Sequence, residues 1–129
     1  MTVCKLVSLN VRGIKNQRKR QSIFSYLKEL KCDIYLLQET YSDPSNETVG
    51  KSEWRGEIFF SHGSNHQKGV CVLINPSSNF KIEDCYCDPE GRIVFINVVY
   101  QSVNMSICNI YAPHNPTCQQ AFAQTVKEL

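Results

Sequence analysis

The sequence predicts an α/β domain built on a mixed sheet, with a β-α-β unit first and a β-meander after it. Three observations carry that expectation. A helical stretch at residues 18–31 lies between two short apolar strands. From residue 57 to residue 111, strand-like runs follow one another across short polar turns. The chain has 129 residues, 42% hydrophobic and 20% charged, which suits one globular domain and not two.

The elements follow in order. Residues 3–9 alternate loosely and read as a strand. Residues 10–17 are polar, contain Gly13, and read as a loop. Residues 18–31 place Ile23, Phe24, Leu27 and Leu30 on one helical stripe under a basic outer face. Residues 33–38 are the second strand. A strand–helix–strand unit of this kind makes a parallel pair with a right-handed crossover. Residues 40–53 hold Asp43-Pro44-Ser45-Asn46 and Gly50 and read as a loop. Strands are expected at 57–61, 69–75, 80–87, 92–100 and 105–111, with a Pro-containing turn at 88–91. Residues 112–117, with two prolines, read as a loop, and 118–129 as the start of a helix. No Gly or Pro stop signal closes that last helix, so its end reads as a truncation.

Composition excludes several classes. No apolar run approaches the ~18 residues a membrane helix needs, so no membrane partner is expected. The first ten residues have no cationic head and long apolar core, so they are not a signal peptide. The 7 Cys are odd in number and contain no CxxC pair, against a zinc ribbon or a complete disulfide framework. Most lie in apolar stretches, as small core residues do. The expectation is an intracellular, reduced chain that is not secreted, with the nucleus among the compartments open to it. Net charge is +2, but residues 1–31 hold 8 basic and 1 acidic residue while residues 32–129 hold 6 basic and 11 acidic. The cluster of Arg12, Lys15, Arg18, Lys19, Arg20, Lys28 and Lys31 suits either a solvated helix face or a phosphate-contacting surface.

No GxxxxGK[ST], GxGxxG, GxSxG or HExxH occurs. His62 and His66 have helical spacing, but Gly63 and Ser64 argue against a helix there and so against a zinc site. Polar residues at strand ends remain: Asn10 after Val7-Ser8-Leu9, Glu39 after Leu36-Leu37-Gln38, and Tyr111 after Cys108-Asn109-Ile110. If the first two strands are parallel, Asn10 and Glu39 reach the same edge of the sheet. A carboxylate and an amide oxygen there suit Mg²⁺, which takes one or two carboxylates plus water and substrate phosphate. Tyr111 could donate to a phosphoryl oxygen. On residues alone, the plainer readings stand beside this one: Asn10 as a loop cap, Glu39 as the first solvated residue after a strand, Tyr111 as core packing.

Three segments carry a resemblance. VSLNVRGI (residues 7–14), DIYLLQET (33–40) and NIYAPH (109–114) are similar, in order, to motifs of the endonuclease/exonuclease/phosphatase superfamily, whose members include apurinic endonucleases, exonuclease III and DNase I. The match is closest to the endonuclease domain of LINE-type non-LTR retrotransposons. WRGEIFFSHGSNHQKGVCVLIN (54–75) resembles the stretch around a conserved-type GVAILI strand there, and Asp88 with Gly91-Arg92 fits the same pattern.

The resemblance implies the N-terminal half of a DNase I-like two-sheet α/β sandwich, and a Mg²⁺-dependent DNA endonuclease or exonuclease, with Mn²⁺ as a substitute. It implies that Glu39 is the metal ligand, that Asn10 lies beside metal and scissile phosphate, and that Tyr111 approaches the phosphate. Arg12, Lys15, Arg18, Lys19, Arg20 and His114 would face nucleic acid. DNA is the implied partner, with a reverse transcriptase domain as companion in a retrotransposon polyprotein. Two departures stand out. Arg12 replaces the Asp that repair-type relatives carry two residues after the Asn, as LINE-type relatives allow. His114 replaces the usual Asn after YxP. The superfamily's downstream DxN and Asp-His motifs have no counterpart within 129 residues, so residues 1–129 read as a partial domain whose catalysis is impaired by truncation, with an apolar sheet face left uncovered. A non-catalytic retrotransposon-derived fragment and a phosphatase-type member are the alternatives.

Overall fold

The computed structural model describes residues 3–64 and 67–111. The expected loop and helix over 112–129, and with them His114, lie outside the described residues, as does His66.

The opening unit forms as the pattern predicts. Strand β1 (Leu6–Asn10) leads into helix α1 (Gln17–Leu30) and then strand β2 (Ile34–Gln38). Asn16 caps α1 by accepting the Lys19 N–H at 3.0 Å, satisfying one orphan donor of the first turn. Lys31, in left-handed conformation, closes the other end. The helix buries Phe24 and Leu27, half-buries Ile23, and leaves Leu30 exposed. β1 and β2 pair in parallel, with Asn10 opposite Gln38.

Residues 46–54, expected as loop, form helix α2 (Asn46–Trp54). The turn chemistry of Asp43-Pro44-Ser45 is real, but it precedes a helix: Asp43 accepts from the Ser45 N–H and hydroxyl, and the helix begins one residue later. Only Gly50 and Trp54 are buried along α2, too few to write a stripe. Gly50 lets α2 pack close, since a Cβ there would come within 3.1 Å of the Phe60 ring and that ring would have to shift by a few tenths of an ångström.

The remaining strands are β3 (Ile58–Ser61), β4 (Val70–Ile74), β5 (Phe80–Cys87), β6 (Ile93–Tyr100) and β7 (Val103–Ile110). They do not form one meander. β3 and β4 join the first sheet in the order β1-β2-β4-β3, and β5-β6-β7 make a separate antiparallel sheet. A two-residue turn at Gln101 and Ser102, both at positive φ (51° and 65°), closes the β6–β7 hairpin.

All five residues of β4 are buried because the strand is covered on both faces. Cys71 and Leu73 join Tyr35, Leu37, Phe24, Leu27 and Trp54 under the helices. Val70, Val72 and Ile74 meet Ile34, Val94, Ile96, Val98 and Ile107 between the sheets. The expected uncovered face is therefore corrected: the second sheet covers it. Exposed apolar side chains are scattered instead over edge strands and helices: Leu6 on β1, Val103 and Ile110 on β7, Tyr26 and Leu30 on α1, and Val49 on α2. The expectation of mostly buried cysteines also fails. Cys71 is buried and Cys4 and Cys32 partly so, while Cys85, Cys87 and Cys108 are exposed on β5 and β7.

Candidate active site at the ends of the parallel strands

The parallel β1–β2 pair delivers Asn10 and Glu39 to one end of the first sheet, where the Asn10 Nδ2 donates to Glu39 Oε2. Asn10 Oδ1 accepts the Arg12 N–H at 3.3 Å. The Tyr41 hydroxyl donates to the other Glu39 oxygen, Oε1, at 3.2 Å. The carboxylate is thus gripped on both oxygens.

The backbone around it is held in an unusual shape. Arg12, Glu39 and Tyr41 all adopt left-handed φ, at 50°, 53° and 54°. Non-glycine residues in that region concentrate at functional sites, where surrounding contacts must impose the conformation. Here the contacts are explicit. The N–H groups of Gly13 and Ile14 donate to the carbonyls of Glu39 and Thr40, at 2.7 and 2.9 Å. Those of Thr40 and Tyr41 donate to the carbonyls of Gly69 and Lys68, at 3.0 and 3.1 Å. Residues 39–41 are zipped between two loops.

The second sheet is tied to the same end. Asn109, 2% exposed, donates to the carbonyls of Leu37 and Cys71 at 2.8 Å each and accepts from Gln38 Nε2 at 2.8 Å. Gln38 also donates to the Ser8 hydroxyl. Tyr111 follows, its N–H donating to the Arg92 carbonyl at 2.8 Å. Arg92 is fixed in turn by buried Asp88, at 2.9 Å. The Tyr41 hydroxyl holds its proton more tightly than usual, through partial burial first and then the Glu39 charge, with Arg12 opposing.

The basic cluster is uneven. Arg12, Arg18 and Lys19 are exposed, with Lys19 Nζ donating to the Arg12 carbonyl at 2.5 Å. Lys15 pairs with Asp43 at 3.0 Å, and the Asp43 carboxyl is lowered to about 2 by the Ser45 hydroxyl and Lys15. Arg20 corrects its expectation. It is 4% exposed, paired with Glu53 at 2.7 Å, and donates to the carbonyls of Ile14 and Lys15. It pins the β1–α1 loop from inside and leaves the phosphate-facing surface.

His62 is held by neighbours on β3, α2 and the loop before α2. It stacks on Phe60, meets the Ser42 hydroxyl at 3.0 Å through Nδ1, and meets Glu47 at 2.7 Å through Nε2. Among the described residues no group of three or more His, Cys, Asp and Glu side chains is arranged to hold a metal. A hard cation would find one carboxylate, Glu39. The donor chemistry fits a divalent ion that draws its other oxygens from water and a phosphate. Asn10 as it stands orients that carboxylate, because its amide nitrogen and not its oxygen faces Glu39.

Of the predicted residues, the fold brings together Asn10 and Glu39, with the Arg12 N–H on Asn10, while Tyr111 directly follows β7, whose Asn109 is tied to the same strand end. Sequence reading missed Tyr41, Gln38 and Asn109. The signal for Gln38 and Asn109 was their place inside the quoted motifs, where a polar residue on a buried strand needs a partner.

Similar solved structures share this architecture. D. rerio TDP2, complexed with a single-strand DNA product, matches with TM-score 0.65 at 16% identity, over 97% of this chain and 55% of its own. An AP endonuclease from Archaeoglobus fulgidus matches with TM-score 0.64 at 23% identity, over 97% and 49%. The 3′ phosphatase NExo from Neisseria, bound to a product DNA hairpin, matches with TM-score 0.68 at 19% identity, over 97% and 51%. In sequence, the Transposon TX1 uncharacterized 149 kDa protein of Xenopus laevis is 27% identical over 106 residues, 82% of this chain and 8% of that protein. No family model matches. The chain therefore has the endonuclease/exonuclease/phosphatase fold, and its transposon relative accords with the LINE-type resemblance read from its motifs. It spans about half the length of the solved relatives. Among the described residues no helix is long and apolar enough to cross a membrane.

Proposed function

We propose that the chain carries the cation- and phosphate-facing part of a Mg²⁺-dependent DNA phosphodiester hydrolase from a LINE-type element, in which a reverse transcriptase domain would be the companion. The observation that supports this most is the Asn10–Glu39 bond at the shared end of β1 and β2. Glu39 would hold the ion, with Mn²⁺ as a substitute, and Asn10 would keep the carboxylate oriented toward it. When bound, such an ion neutralises phosphate charge and stabilises the leaving oxygen. Tyr111 would donate to the phosphate, and Arg12, Arg18 and Lys19 would attract the DNA backbone.

A positioned base contributes about 10²- to 10⁴-fold. Among the described residues the site offers one carboxylate gripped by amide and phenol, and no three-residue ligand cluster. The 129-residue chain alone is therefore expected to bind DNA with a Mg²⁺ response and to nick supercoiled plasmid negligibly. Titration of a short duplex in Mg²⁺ and in EDTA, with Glu39→Ala alongside, tests the cation reading. Mg²⁺-tightened binding that disappears in Glu39→Ala supports it, and identical curves for both chains oppose it. Mg²⁺-dependent nicking that is lost in Glu39→Ala would show that the chain completes the site itself. A chain that binds DNA with no Mg²⁺ response would favour the non-catalytic fragment.

A further inference from the structure

Glu39 has a second donor that the motifs do not mark. Tyr41 sits two residues on, and its placement is built in three ways. Its N–H is bonded to Lys68 and that of its neighbour Thr40 to Gly69, so the backbone cannot drift. Its ring lies against Gly13, where φ is +103° and a Cβ would come within 3.1 Å of Tyr41 Cδ2. Its hydroxyl points back at Glu39 Oε1.

That bond is long for its kind. A hydroxyl donating to a carboxylate normally closes to about 2.5–2.7 Å, and this one is 3.2 Å. Asn10 already occupies Oε2, so Oε1 is the oxygen that can exchange its phenolic partner for a cation. Arg12, two residues past Asn10, is exposed, its own N–H anchored on Asn10 Oδ1 at 3.3 Å. A phenolic donor next to a carboxylate that can be neutralised, with an exposed arginine on the adjoining loop, suits one anionic oxygen.

We propose that Tyr41 is a phosphate-contacting residue of this site: its hydroxyl rests on Glu39 in the cation-free chain and passes to a non-bridging phosphoryl oxygen of DNA once Glu39 is engaged, with Arg12 facing the same phosphate. No bond is made or broken; the hydroxyl rotates from one anionic acceptor to another. The inference rests on the cation reading of Glu39 given above. It also accounts for a non-glycine residue at positive φ in position 41, because that backbone is what turns the ring over Gly13 toward Glu39.

Fluorescence anisotropy of a short DNA duplex, read for the 129-residue chain and Tyr41→Phe in Mg²⁺ and in EDTA, tests it. The substitution keeps the ring and its packing, and a thermal melt checks that the two chains are equally folded. In Mg²⁺, Tyr41→Phe is expected to bind about ten- to a hundredfold more weakly, the loss of one hydrogen bond to a charged group. In EDTA, where the hydroxyl stays on Glu39, the two should agree within about twofold. Equal affinity in Mg²⁺ overturns the inference, and so does an equal loss in both buffers. A wild-type chain indifferent to both Mg²⁺ and Glu39→Ala would sink the cation reading and this inference with it. A normal wild-type response with unchanged Tyr41→Phe binding would sink the inference alone.

Discussion

Strands β4 and β5 belong to the same chain and differ in every residue's environment: β4 buries all five of its positions, β5 none of its eight. The cause is coverage. β4 lies in the middle of the first sheet, with helices on one face and the second sheet on the other, while β5 is the outer edge of the second sheet. The candidate site sits at the end of β2, the immediate neighbour of β4. A carboxylate at positive φ with both oxygens gripped needs a rigid support, and the doubly covered strands supply it. β5 needs only to shield β6.

The contrast is easiest to break through stability. Trp54 is fully buried, donates to the Ile74 carbonyl at 2.7 Å, and meets Phe24 and Tyr35 edge to face. Trp54→Ala should cost about 3–5 kcal/mol in a urea titration. Tyr86→Ala on β5, where the side chain is 39% exposed, should cost under about 1 kcal/mol. Similar losses at both positions would end the distinction.

The second contrast lies between adjacent helix residues. Arg20→Met leaves Glu53 without its partner and frees two loop carbonyls, at a cost of about 2 kcal/mol. Lys19→Gln should change stability by less than about 0.5 kcal/mol. DNA binding should reverse the ranking: Lys19→Gln lowers the salt slope by about one, which filter binding across a salt series would read.

A smaller effect sharpens the same pair. The Arg20 hydrogen bond holds the Glu53 carboxyl below its usual range. A depressed carboxyl contributes stability above its unfolded pKa, about 4.3, and loses it as pH falls below that value. Unfolding followed from about pH 6 to about pH 3 should therefore fall more steeply for the wild type than for Glu53→Gln. Parallel curves would mean the pair adds nothing that titrates.

Much of this was legible in the sequence. The β-α-β unit wrote its own periodicities, and the motif ends marked Asn10 and Glu39 as neighbours because parallel pairing leaves no other geometry. Helix α2 was hidden because Gly50 and Trp54 are its only buried residues and the residues leading into it make an Asp-Pro-Ser turn with no side-chain cap at Ser45. Arg20 looked like its basic neighbours, since burial by a partner 33 residues away leaves no mark in local pattern. Tyr41 gave no signal either: its role depends on positive φ and on Gly13, both set by long-range contacts. The motif resemblance implied a two-sheet sandwich, but which strands enter which sheet was hidden for the same reason, because strand runs show that strands exist but not which ones pair.

The central claim is that Glu39, oriented by Asn10, is a cation site on a rigid strand end. Direct Mn²⁺ titration of the chain, by calorimetry or by the loss of the free-ion electron spin resonance signal, tests it without requiring turnover. The account predicts one Mn²⁺ per chain, binding abolished in Glu39→Ala and weakened about tenfold in Asn10→Ala, with unchanged thermal melts. Mn²⁺ bound equally well by Glu39→Ala would contradict it.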